Sequence, residues 1–97
     1  MLGIAAKAGK VVSGEFSTEK AVKSGHAYLV IVSEEASENT KKNFLNMTDF
    51  YHVPCYCYGS KEALGRYIGK QFRASLAVTD ENLARAVETK LKERKTE

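Results

Sequence analysis

Tyr28-Leu29-Val30-Ile31-Val32 is an unbroken β-prone apolar run with no polar residue alternating through it. A strand with one wet face would carry a polar side chain at every second position, so this run reads as a strand covered on both faces. Ser24-Gly25-His26 precedes it and closes a helix over Glu15–Lys23, with Gly25 where a C-terminal glycine belongs. Within that helix Phe16, Glu19/Lys20 and Val22/Lys23 alternate faces at helical spacing. After the run, Ser33-Glu34-Glu35 returns the chain to solvent and Ser37 can cap the next helix. Phe44, Met47 and Tyr51 then fall at i, i+3 and i+7, which predicts one apolar stripe.

Residues 53–58 form the next predicted strand, with Pro54 tolerated only near its start. Ser60 opens a short helix carrying Leu64 and Ile68 and ended by Gly69. Leu76-Ala77-Val78 is a third, short strand, and residues 10–13 offer a fourth. Thr79 or Asp80 caps a last helix bearing Leu83, Val87 and Leu91 at steps of four. Strands alternating with helices of this length indicate an α/β domain with helices on both faces of a sheet. At 97 residues the whole chain, 1–97, is expected to be a single domain, with a charge-alternating tail that frays from about residue 92. There is no internal repeat and no low-complexity linker.

The hydrophobic share of 43% and charged share of 28% are those of an ordinary soluble globule. No apolar run approaches the roughly 20 residues of a membrane span, and the start of the chain lacks the charged and apolar regions of a secretory signal. The expectation is a cytoplasmic protein with no membrane partner. The net charge of +3 excludes a polycation but allows a basic patch assembled by folding. Cys55 and Cys57 are the only cysteines. Two apart on a strand, they share a face with Cα atoms about 6.5 Å apart, a strained spacing for a disulfide. Reduced thiols in a reducing compartment fit better.

Several chemistries fail on spacing. A phosphate loop needs four residues between its glycines and Ser or Thr after the lysine. Here five separate Gly3 from Gly9, and Val11 follows Lys10. His52, Cys55 and Cys57 could begin a zinc site, but the only remaining His or Cys is His26, across another strand. No metal or other cofactor is expected. There is no Gly-x-Ser-x-Gly elbow, and Asp49 and Asp80 read as a solvent-facing residue and a helix cap. No catalytic grouping emerges, so the chain is not expected to be an enzyme.

Two stretches point toward nucleic acid. In residues 10–20 a strand runs into Gly14, which opens a helix bearing Glu15, Ser17, Thr18 and Lys20. Helix N-termini expose unpaired N–H groups and partial positive charge, suited to phosphates or base edges, and glycine removes a side chain that would block close approach. The plain alternative is an ordinary strand-to-helix turn. Lys70-Gln71-Phe72-Arg73-Ala74-Ser75 is a loop in which an aromatic beside Arg offers a platform for a splayed-out base. The alternative there is that Phe72 folds back into the core.

These pieces in this order resemble the ribosomal protein L-seven-Ae superfamily, in particular its short bacterial YlxQ-like branch. The resemblance is carried by residues 2–10 (LGIAAKAGK), 13–15 (SGE), 20–25 (KAVKSG), 29–37 (LVIVSEEAS), 53–54 (VP), 60–65 (SKEALG) and 77–80 (AVTD). It covers nearly the whole chain, and its specificity lies in order and spacing. It implies a three-layer α-β-α sandwich with a mixed, roughly four-stranded sheet. It also implies recognition of kink-turn RNA, a bulged duplex bent beside sheared G·A pairs. The glycine-led helix start would enter the opened groove while the late loop covers an extruded nucleotide. Gly14 and Lys20 match directly, Lys10 lies on the strand leading in, and residues 70–75, with Phe72, Arg73 and Ala74, occupy the covering loop. Archaeal relatives carry Asn and Glu where this chain has Phe16 and Ser17; Phe16 cannot hydrogen-bond a base edge, which leaves Glu15, Ser17 and Thr18 as sources of other polar contacts. The relatives also begin with a longer first helix, which puts Met1 in question as the natural start. The expectation is a monomeric partner of structured, kink-turn-like RNA, with ribosomal RNA among the candidates. The alternative is a protein–protein interaction module of the same fold.

Overall fold

The computed structural model describes residues 9–69 and 71–95. Residues 2–8 of the resemblance and Lys70 of the late loop lie outside them. Four strands and four helices alternate among the described residues: β1 (Val11–Ser13), α1 (Glu15–Lys23), β2 (Leu29–Val32), α2 (Glu38–Phe50), β3 (Cys55–Cys57), α3 (Lys61–Tyr67), β4 (Ser75–Val78) and α4 (Glu81–Lys95). They build a mixed sheet in the order β1-β4-β2-β3. β4 runs antiparallel to both β1 and β2, while β2 and β3 are parallel.

The two central strands explain the unbroken apolar run. Every residue of β2 is buried, and alternate side chains enter different cores. Val30 and Val32 pack with Ala21, Val22, Phe44 and Ala77 under α1 and α2. Leu29 and Ile31 pack with Leu64, Leu76, Val78, Val87 and Leu91 under α3 and α4. The expected α-β-α layering follows directly.

Three helices start on side-chain caps. Ser37 Oγ accepts from the Thr40 N–H at 3.1 Å, Ser60 Oγ from Ala63 at 3.0 Å, and Asp80 Oδ1 from Leu83 at 3.0 Å. Asp80, and not Thr79, is therefore the cap of α4. The apolar stripe of α2 needs correcting. Tyr51 does not continue the α2 stripe: it lies just past the helix end, 40% exposed, its ring edge-on to Phe50 at 5.0 Å. Thr48 takes the inward position four residues after Phe44, its hydroxyl donating to the Phe44 carbonyl at 2.7 Å. Helix α4 extends to Lys95, four residues past buried Leu91.

β3 is shorter than residues 53–58, since Pro54 has no N–H and enters the ladder only through its carbonyl, which accepts from Val30 at 2.9 Å. Cys55 and Cys57 are free thiols packed toward α1 and α2 with Val53. Tyr56 and Tyr58 pack on the opposite side, and Tyr56 donates its hydroxyl proton to Glu88 at 2.7 Å. No described helix is long and apolar enough to cross a membrane.

Candidate nucleic-acid interface

α1 starts differently from the other helices. The Gly14 N–H still belongs to the sheet, donating to the Ser75 carbonyl at 3.0 Å, while its own carbonyl accepts from Thr18 at 3.0 Å. Between those bonds the backbone turns through φ 90° and ψ 155°, a region open essentially to glycine alone. A Cβ at Gly14 would meet nothing within 4 Å. Glycine is thus required by the turn, not by crowding within the chain, and the space above it is open. Having no side chain, Gly14 caps nothing, so the first N–H groups of α1 face outward without an intrahelical acceptor.

The faces of α1 sort the predicted site residues. Thr18, Ala21 and Val22 point into the protein. Thr18 is wholly buried, its hydroxyl 3.5 Å from that of Ser75, so it cannot touch a docked molecule and leaves the candidate set. Glu15, Ser17 and Lys20 are exposed, as is Phe16 at 76%. Lys23 pairs with Glu19 at 3.5 Å, whereas Lys20 makes no ion pair among the described residues. Lys10 is exposed just before β1, its carbonyl accepting from Thr79 at 2.8 Å.

The late loop is held at both ends. The Arg73 N–H donates to the Lys61 carbonyl at 3.0 Å, and the Ala74 carbonyl accepts from Ser33 at 2.7 Å. Ala74 packs against the core beneath α1 and α2, so it anchors the loop and offers little free surface. The Arg73 side chain joins the two halves of the site. Its Nε donates to Ser13 Oγ at 3.0 Å across sixty residues of sequence, and Nη1 donates to the Phe72 carbonyl at 2.8 Å. Phe72 stays out of the core, 68% exposed, beside an open groove bordered by Glu62, Arg66, Gly69 and Gln71. The Arg73 side chain therefore reaches the residue that precedes Gly14. Ser13 escaped the sequence reading, because a serine gains its meaning there only from a partner sixty positions away.

Chemically the surface offers cations, outward N–H groups, one carboxylate at Glu15 and two bare aromatic rings. Burial pushes the Cys55 thiol up to about 11, against a smaller opposing hydrogen bond from Thr48, so it is almost entirely protonated at neutral pH. Among the described residues no three His, Cys, Asp or Glu side chains cluster closely enough to hold a metal ion.

Comparison with known proteins gives a consistent result. A profile of the ribosomal protein L7Ae/L30e/S12e/Gadd45 family matches residues 1–88. The chain is 43% identical over 84 residues to the RNA-binding protein YlxQ of Bacillus subtilis, covering 87% of this chain and 84% of that one. It is 32% identical over 84 residues to the large ribosomal subunit protein eL30 of Sulfolobus acidocaldarius, covering 84% and 81% of the two chains. Among solved structures, a Bacillus halodurans protein of unknown function superimposes with a TM-score of 0.88 at 38% identity, covering 91% of this chain and 89% of that one. The Giardia lamblia 15.5kD RNA binding protein shares the fold, with a TM-score of 0.78 at 22% identity over 92% and 76% of the chains.

Proposed function

Because the chain belongs to the ribosomal protein L7Ae/L30e/S12e/Gadd45 family, we propose that it is a monomeric, non-catalytic RNA-binding protein that docks on kink-turn-like RNA. The observation that carries this reading is the Arg73–Ser13 hydrogen bond. It ties the loop before β4 to the strand that feeds Gly14, which supports one continuous docking surface in place of two unrelated features. Lys10, Gly14, Glu15, Ser17 and Lys20 border it from one end of the chain, Phe72 and Arg73 from the other.

The roles follow from the chemistry of each group. Lys10 and Lys20 neutralise phosphates, and Lys20 also reaches the acceptor edge of guanine where a groove is opened. The outward N–H groups after Gly14 receive a phosphate or a base oxygen, and only a shape that opens toward the helix start can present one there. Glu15 repels phosphate and instead accepts from a base amino group. Phe72 supplies a face for an extruded base, with Arg73 beside it for the adjoining backbone.

Titrating the protein with a kink-turn and with an uninterrupted duplex of equal length, at several salt concentrations, tests the reading. The kink-turn should bind more tightly, with affinity falling as salt rises. Equal affinity for both would remove the kink-turn specificity, and no binding to either would remove the RNA function. A protein-interaction role draws on a different region: Leu45, Phe50 and Tyr51 are exposed along the α2 end, away from Gly14. It would gain ground from that second outcome.

A further inference from the structure

Phe16 is a large apolar side chain that neither the core nor the roles above account for. It is 76% exposed, more than any other large apolar residue among those described, and it sits in the first turn of α1. The buried face of that helix is Thr18, Ala21 and Val22, so Phe16 does not simply miss a place in the core; it stands on the side turned away from it. Lys20, four residues on, stands on the same side and makes no ion pair among the described residues. An aromatic ring and an unpaired ammonium thus project together from one helix face.

Their surroundings suit a nucleotide. Phe16 is three residues after Ser13, and Phe72 is one residue before Arg73, so the Arg73–Ser13 bond joins the two chain segments that carry these exposed phenyl rings. The same two segments carry Lys10, Lys20 and Arg73, opposed by Glu15; Glu19 is engaged by Lys23, and Glu62 and Arg66 at the groove beside Phe72 are engaged with each other. A ring in a cationic setting can take a flat, uncharged base on its face while the cations take the phosphates on either side. A purely apolar protein segment would leave those cations without partners.

We propose that Phe16 is a specificity-determining residue, a second stacking platform on which an unpaired RNA base lies while Lys20 holds the adjoining phosphate. The proposal rests on the RNA-binding reading and deepens it. Stacking takes the place of hydrogen-bonded readout at this position, because phenyl has no donor or acceptor but presents a face to any base. The chain would accordingly tolerate changes of base identity there, and would require that a base be present and unpaired.

The test uses the full chain with Phe16→Ala, Phe16→Leu and Phe16→Tyr. The probe is a kink-turn RNA in which each bulge nucleotide in turn is intact or abasic. Phe16→Ala should weaken binding by roughly 5- to 150-fold, the range of a single base–aromatic stack. Phe16→Tyr should keep nearly all of the affinity, and Phe16→Leu should lose much of it. One abasic position should weaken the wild type similarly and add little to Phe16→Ala, since both remove the same contact. Unchanged thermal midpoints would establish that the variants are folded, as expected for so exposed a side chain. Wild-type binding that is undiminished by Phe16→Ala, equal to that of Phe16→Leu, or insensitive to every abasic site would overturn the platform alone. A wild type that binds no RNA would overturn the underlying function as well.

Discussion

Gly14 and Lys20 separate what a residue does for the fold from what it does for a ligand. Gly14→Ala meets no steric obstacle, so its whole cost is torsional, at φ 90°. The expected loss is about 1–3 kcal/mol of stability, read from chemical denaturation. Lys20→Ala should leave stability within about 0.5 kcal/mol, since the side chain is exposed and pairs with no described residue. Its effect belongs to binding. A base contact would cost about 1–3 kcal/mol of RNA affinity. A contact with phosphate alone would weaken all sequences alike and shallow the salt slope by nearly one unit. Unaltered affinity for kink-turn and duplex alike would remove Lys20 from the site.

At the scale of elements, the site is a junction between β1 and the loop that leads into β4. The strands are already paired through the Val12–Ala77 and Ser13–Leu76 register, and the Gly14 N–H adds one more bond to Ser75. The loop, by contrast, reaches β1 through the Arg73 guanidinium. Ser13→Ala removes that acceptor while leaving the Arg73 charge and the bond from its N–H to Lys61 in place. The expected stability loss is about 0.5–1.5 kcal/mol, with faster amide exchange through residues 71–74. RNA affinity should fall less than in Arg73→Ala, which loses both the junction and the cation. Equal affinity losses in the two variants would mean that Arg73 acts only by positioning the loop.

For the whole molecule, the sheet's burial makes alkaline pH a probe of its intact state. The Cys55 thiol is raised from 9.0 to about 11, chiefly by burial, and the Tyr56 phenol from 10.0 to about 12, by burial and then by its hydrogen bond to Glu88. Both folded values lie above the unfolded ones, so above pH 9 the unfolded chain gives up protons that the folded chain retains. Stability from these groups is therefore fully present below pH 9 and is lost as pH rises through 11 and 12. Thermal midpoints measured from pH 7 to 12 should fall across that window, and Cys55→Ala should flatten the portion between 9 and 11. A flat wild-type profile would contradict the burial of Cys55 beside Thr48. Alkylation of Cys55 near neutral pH should likewise be slow until the protein unfolds.

Much of this architecture is local information. The run at residues 28–32 announces a doubly covered strand because burial on both faces leaves no place for a polar side chain. Ser37, Ser60 and Asp80 mark their helix starts because a cap is a contact made within three residues. The order of strands and helices, with its resemblance to a known family, was enough to imply the layers of the sandwich. Where local cues failed, a longer-range constraint had intervened. Tyr51 had the right spacing for the α2 stripe, but the helix ended before it. Thr18 looked like a polar contact in a promising motif, yet it is turned inward against Ser75 of another strand. Whether Phe16 and Phe72 would be core or surface depended on which helix and loop faces the sheet had already covered. The bond from Arg73 to Ser13 exists because β1 lies beside β4, and spacing along the chain carries no record of which strands become neighbours. Local chemistry along the chain is thus enough for the order of the elements, most of their caps and a set of candidate residues; which of those residues are free to meet a ligand depends on tertiary packing, because packing selects one inward face from each element and brings distant loops together.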